Sequence, residues 1–371
     1  MSVTQQRADS TESYMAGVIR TSSFTATVLV LTFASLFIGC GRDPERAAAG
    51  RTLAANTVIG FIGPPATDAI SAAVCGGAER FAAAYPNVHC LTVIPPDAQP
   101  SSLSAAVDET LARNPNAICL YLTSTRAPND ADHTAQLIER IRQTGIVLVT
   151  VGSPINNPAV RGHVEVALPQ AAEILAQNLR SLLPPAVNAF GHVRQERSYA
   201  LLHADGRDQS ASDTYARFLA TVRDNSNLAR LADVNTWASD RSAQRLIADT
   251  LERFSTVELI VTLDPEPWLS LRPRLRLPPR NHFATLSAAP RLWPRLESGE
   301  ALALVGPLDG QIGYTAMEVA TQRLMLVPDA PTRRYIPCEL VTKANLDDFA
   351  QRYAAAANLD VRDLLSFRPL P

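Results

Sequence analysis

Nine side chains stand where a small polar molecule could be gripped: Thr67, Asp68, Ser124, Arg126, Ser153, Arg207, Trp237, Asp264 and Ser287. Each lies just after an apolar run. Hydroxyl, carboxylate and guanidinium groups in such a site pair with the hydroxyls of a bound molecule, because a buried polar group left unpaired is costly. An aromatic ring such as Trp237 offers a flat face for a ring's CH surface. Each residue also has a plainer use. Thr67 and Asp68 suit a helix cap. Arg207, flanked by Asp205 and Asp208, suits a solvated loop. Trp237 suits packing, and Asp264-Pro265 suits a turn.

Covalent chemistry is poorly supported. The sequence has no G-x-S-x-G elbow and no Walker-type loop, and "GFIG" at 60–63 lacks the third glycine of a dinucleotide loop. Cys75, Cys90, Cys119 and Cys338 form no CxxC pair, and the 6 histidines lack the paired spacing of a metal site. No enzyme, cofactor or metal is expected. Cys75 and Cys90 could pair in an oxidising compartment, or all four could be buried thiols.

Alternating strand and helix patterns must position these side chains. At 371 residues the chain exceeds what one core usually serves, and its 46% hydrophobic and 19% charged residues fit an ordered protein. "NTVIGFIG", "VHCLTVIP", "NAICLYLT" and "IVLVTVG" are continuous apolar runs separated by helical spacing. After a polar interval from Pro184 to Arg197, "SYALLHA", "VELIVTL", "HFATLS" and "ALALVG" repeat the scheme. Strands buried on both faces and joined by helices make parallel sheets. The expected class is therefore α/β, with two Rossmann-like lobes, each a three-layer α/β/α sandwich, joined by a hinge of several crossings. Residues 56–166 plus 308–334 form the first lobe and residues 167–307 plus 335–371 the second, with "YIPCELVT" as the last strand.

The amino-terminal region reads as a targeting segment. "FTATVLVLTFASLFIGC" carries no charge and ends at Cys40. It is similar to a bacterial lipoprotein signal over residues 1–40, in which that cysteine is acylated. Phe37 departs from the leucine usual there. A start at Met15 would give the short basic lead "MAGVIR". An uncleaved membrane anchor is the other reading, since roughly 20 apolar residues span a bilayer. Residues 41–55 read as a tether. Both readings put the rest of the chain outside the cytoplasm, in the cell envelope. A net charge of −2 gives no electrostatic reason to bind nucleic acid, and "RPRLRLPPR" at 272–280 reads as an exposed loop.

"NTVIGFIG", "TGIVLVTVGSP", "VALPQAAEILAQNL", "SYALLHADGRDQSASDTYARFLATV", "VELIVTLDPEPWL" and "GPLDGQIGYTAMEVATQRL" together resemble the type I periplasmic binding proteins. The resemblance is to the ribose-type sugar binders and to the effector domains of lactose-repressor-like regulators, over most of 56–345. It implies a monomeric, exported, lipid-anchored solute-binding protein that takes a sugar-like ligand between its lobes and serves an ABC-type permease or a sensor. It also implies a hydrogen-bonding set that is mostly missing. Gly152-Ser153 replaces an Asp-Arg pair, Ser212 an Arg, Ser287 an Asp and Pro307 a Gln, while Asp264 replaces an Asn and keeps an acceptor. The runner-up is therefore an envelope interaction protein on a binding scaffold that has lost its small-molecule site.

Overall fold

The computed structural model describes residues 53–123, 130–183, 197–223, 228–269, 276–327 and 330–365. The signal segment with Cys40, and Ser124 and Arg126, lie outside the described residues.

The first apolar runs form β1 (Thr57–Ile62), β2 (Val88–Val93), β3 (Ala117–Leu122), β4 (Val147–Gly152) and β5 (Val160–Val166). Between them lie α1 (Ser71–Ala84), α2 (Pro100–Leu111) and α3 (Asp130–Gln143). The second half supplies α4 (Leu168–Leu182), β6 (Arg197–His203), α5 (Gln209–Val222), β7 (Leu228–Asn235), α6 (Ala243–Arg253), β8 (Leu259–Thr262), the single turn α7 (Glu266–Leu269) and β9 (His282–Thr285). A 3₁₀ turn (Pro290–Leu292), α8 (Trp293–Glu297) and β10 (Ala301–Gly306) follow. The chain ends with α9 (Gly310–Leu324), β11 (Arg333–Ile336), β12 (Glu339–Val341), α10 (Leu346–Ala357) and α11 (Val361–Leu365).

Two six-stranded sheets result, ordered β11-β5-β4-β3-β1-β2 and β12-β10-β9-β8-β6-β7. All pairings are parallel except β10 with β12. Both faces of each sheet are covered, which is why the strands lack polar alternation. In the first lobe Ile59 and Phe61 pack with Val74 of α1 and Met317 of α9. On the opposite face Ile62, Ile118 and Leu120 pack with Val107 of α2 and Leu137 of α3. In the second lobe Leu201 and Val261 meet Leu175 of α4 and Phe218 of α5. Its other face holds Trp268, Phe283, Leu292, Trp293 and, from α10, Phe349 and Tyr353.

Three expectations need correction. "YIPCELVT" is two strands rather than one. β11 pairs with β5 of the first sheet through Ile336, and β12 pairs with β10 of the second. Pro337, with no N–H to donate, separates them. The chain thus leaves the first sheet after Ile336 rather than at 334/335. Second, α10, assigned with 335–371 to the second lobe, also packs on α1 and α9 of the first. Third, α1 begins with Ile70 as its N-cap and has no side-chain cap. Asp68 instead accepts the Ile70 backbone N–H at 3.2 Å. All four cysteines of the described residues are free thiols. Burial raises Cys75 to about 12 and Cys90 to about 11.

The crossing from β10 to α9 carries a buried carboxylate. Asp309 is 5% exposed and accepts a hydrogen bond from the Tyr353 hydroxyl at 2.6 Å. Burial raises it to about 7 against the help of Tyr353, and the nearby charge of Asp68 adds to the rise. Its folded value lies above its unfolded one. The associated stability is therefore present at acid pH and is lost as pH climbs through about 7. Asp309→Asn is expected to flatten that loss, on the order of 3 kcal/mol between pH 5 and 8, in urea midpoints taken across the range.

Candidate functional site

Parallel strands point their carboxyl ends the same way, and open α/β sheets bind ligands beyond those ends where the strand order reverses. In the second lobe the order reverses between β6 and β8. A cavity of about 500 Å³ opens there, lined among the described residues by Arg207, Thr236, Trp237, Asp240, Asp264 and Glu266. Its size falls within the range of small-molecule sites.

The loop after β6 turns at 204–207, with Arg207 N donating to Ala204 O at 3.0 Å and Gly206 at φ 85°. A side chain would be strained at that φ, so glycine occupies it. The turn delivers Arg207 between two carboxylates. Its Nη1 lies 2.9 Å from Asp264 Oδ2, and its Nε 3.0 Å from Asp208 Oδ2. Asp208 also caps α5, accepting the Ala211 N–H at 2.7 Å. Asp264 Oδ1 accepts the Glu266 N–H at 3.0 Å, so one carboxylate both starts α7 and holds Arg207. The side chain of Arg207 is only 21% exposed. The sequence reading of a solvated loop charge is thus corrected: a half-buried guanidinium bridges two loops across the switch point.

Asn235, which sequence reasoning missed, links the loops that carry the cavity's Arg and Trp. Its Nδ2 donates to Asp205 O at 2.8 Å, and its Oδ1 accepts the Trp237 N–H at 2.9 Å. His203 completes the support. Its Nδ1 accepts the Asp205 N–H at 3.2 Å, which puts the ring proton on Nε2, 3.0 Å from Asp233 Oδ1. Burial lowers the His203 imidazole, the Asp233 charge opposing it, so the neutral ring is favoured. The only signal in sequence was the position of both residues at strand ends.

Other candidates fall elsewhere. Thr67 is exposed and Asp68 half-buried at the end of β1. Burial raises the Asp68 carboxyl, while the Ile70 and Ala69 N–H groups oppose the rise. Ser287 is half-buried and turns inward to accept the Ala289 N–H at 3.3 Å. It does not line the cavity. Ser153 N donates to Leu122 O, the end of β3, at 3.0 Å, which extends the β3–β4 ladder one step past β4. Its neighbour Pro154 lines a second cavity of about 670 Å³, with walls from both lobes that include His163, Glu165 and Arg333 on one side and Asp208 and Asp213 on the other. Burial alone would raise the Glu165 carboxyl. Contacts from His163 and Arg333, whose Nε is 2.7 Å away, hold it below the usual range instead. Among the described residues no His/Cys/Asp/Glu group could hold a metal ion.

Residues 59–325 match the family described as the periplasmic binding protein domain. That is most of the chain, so the protein belongs to this family, which is one of ligand-binding proteins and not of enzymes. No curated protein sequence matches the chain. Solved structures share its fold. One is an ABC transporter periplasmic solute-binding protein from Actinobacillus succinogenes with bound D-allose, at TM-score 0.61 and 13% identity, covering 79% of this chain and 99% of that one. A solute-binding protein from Agrobacterium vitis bound with alpha-D-tagatopyranose has TM-score 0.60 and 17% identity, covering 80% and 98%. A putative LacI transcriptional regulator from Bacteroides fragilis has TM-score 0.57 and 14% identity, covering 79% and 99%.

Asn235→Ala should release both loops. Trp268 and Trp293 are 4% and 2% exposed, so acrylamide quenching reports mainly on Trp237. Quenching is expected to increase, with a stability loss of about 1–3 kcal/mol for the unpaired backbone groups.

Proposed function

We propose that this chain is an exported, lipid-anchored solute-binding protein whose cavity at the β6/β8 switch point takes a small, neutral, hydroxyl-rich molecule. The observation that carries the reading is the Arg207–Asp264 pair beside Trp237 in a cavity of about 500 Å³. A guanidinium already neutralised by Asp208 and Asp264 has little charge left for an anionic ligand. Its remaining N–H groups, the carboxylate lone pairs and an aromatic face suit hydroxyls and a ring's CH surface. Thr67 and Asp68 would complete the site from the first lobe. The sugars bound by the Actinobacillus and Agrobacterium proteins support the same ligand class. Family membership fits a location outside the cytoplasm. Cys40 would carry the lipid, and a permease or a sensor would read the loaded protein.

One observation favours the second reading, an envelope interaction protein. Ser287 and Ser212 spend their hydroxyls on local backbone, Ser212 accepting the Gly206 N–H at 3.1 Å. Two of the positions where the resembled family holds its ligand are therefore occupied otherwise.

A thermal-shift screen with monosaccharides and polyols separates the two. Binding at a hundredfold excess over Kd should raise Tm by about 5 °C. Asp264→Ala and Trp237→Ala should abolish the rise while the variants stay folded. No shift with any compound would support the second reading.

Cys40→Ser is expected to end palmitate incorporation and to release the protein from the membrane fraction. Unchanged fractionation without label would point to the apolar segment as the anchor.

A further inference from the structure

We propose that His203 is a positioning residue that makes binding at the β6/β8 cavity depend on protons: its neutral ring holds the loop that carries Arg207, and a protonated ring releases it. Regulation of this kind rests on the cavity being the ligand site. His203 ends β6, is 6% exposed and does not line the cavity. Both of its ring nitrogens are committed. Nδ1 accepts the Asp205 N–H at 3.2 Å, and Nε2 stands 3.0 Å from Asp233 Oδ1. A ring nitrogen that accepts an N–H carries no proton, so a second proton can enter only at Nδ1. It turns that acceptor into a donor aimed at another donor, and the bond to Asp205 is lost.

The surroundings leave the ring no second way to keep that bond. It stacks on Tyr215 of α5, with centroids 3.8 Å and planes 17° apart. A half-turn of the ring would put carbons where both nitrogens stand. Asp233 is itself fixed, accepting from the Tyr215 hydroxyl at 2.9 Å and pairing with Arg230 Nη1 at 2.6 Å. The titratable and charged groups against the ring are Asp233 and Arg230 of β7, Asp205 of the turn and Tyr215 of α5. Burial has the largest effect and disfavours the imidazolium, as does Arg230, while Asp233 and Asp205 favour it. His203 therefore gains its proton below the usual histidine value.

The lost bond bears on the cavity through Asp205. Its N–H goes to His203, and its carbonyl accepts from Asn235 Nδ2 at 2.8 Å. The same turn delivers Arg207, and Asn235 Oδ1 also holds the Trp237 N–H at 2.9 Å. Release at Asp205 thus reaches both the guanidinium and the indole that line the cavity. A molecule that needs both in place binds the neutral state more tightly. By linkage it then holds the proton off His203 to the same extent.

The test starts on the full chain without ligand. Nitrogen NMR of histidine-labelled protein should show His203 protonated at Nε2 alone near neutral pH, with one charging step below the usual histidine value. Acrylamide quenching of Trp237 should rise through the same step. His203→Gln keeps an acceptor for the Asp205 N–H and cannot titrate, so its quenching should stay flat. Asp309, raised by burial to about 7, titrates in both proteins. A quenching step shared by parent and variant therefore belongs elsewhere and overturns the proposal, as does a proton on Nδ1 near neutral pH. With the monosaccharide that gives the largest thermal shift as probe, Kd should weaken about tenfold from about pH 7.5 to about pH 5 in the parent, and less than about twofold in His203→Gln. Equal weakening in both overturns it. If His203→Gln does not fold, Asp233→Asn decides: loss of that carboxylate should move the charging step lower, and an unmoved step overturns the proposal. If no monosaccharide binds, the binding reading has failed, while NMR and quenching still decide whether the ring controls the loops.

Discussion

A parallel strand cannot be followed by a tight turn to its parallel neighbour, so the chain must cross over the sheet between one strand and the next. Because right-handed crossings return the chain to the same edge, every strand except the antiparallel β12 ends on the same side of its lobe. The same strand order in both sheets, with an extra edge strand supplied late in the chain, places two sets of loops at two comparable switch points. The cavity at β6/β8 follows from that constraint. So does the need for Arg207, Trp237 and Asp264, which are far apart in sequence, to arrive on three separate loops.

Within the site, electrostatics and loop geometry are one problem. Asp264 starts a short helix and grips Arg207, and Asp208 caps a long helix and grips the same guanidinium. A half-buried charge is tolerated because both its partners are already fixed by helix termini, so little further entropy is lost in forming the pairs. Asn235 and His203 act one layer below, tying backbone to backbone without facing the cavity. The polar groups that line the cavity are thus held in place by the chain itself.

The hinge carries a different kind of constraint. Glycines at 76, 77, 310 and 313 bring three helices from distant parts of the chain into backbone contact. That contact sets α10, whose side chains lie in the second-lobe core, against α1 and α9 of the first lobe.

The α/β class, the two lobes and most strand positions are legible in the residues alone, since uninterrupted apolar runs bounded by Gly and Pro have few other uses. Strand-end position also put Arg207, Trp237 and Asp264 among nine candidates, and these three line one cavity, because residues just past strand ends share one side of a sheet. Sequence patterning misplaced the end of the first sheet at "YIPCELVT", where a single proline divides partners that only tertiary pairing distinguishes. Ser287 was equally unreadable: a hydroxyl beside a cleft can turn outward or back to its own turn, and the choice depends on local packing. Tertiary structure alone decided that Arg207 is bridged, that Asn235 and His203 support it, and that α10 spans both lobes. Each of these rests on contacts between residues far apart in the chain, and neither periodicity nor residue type records such distances.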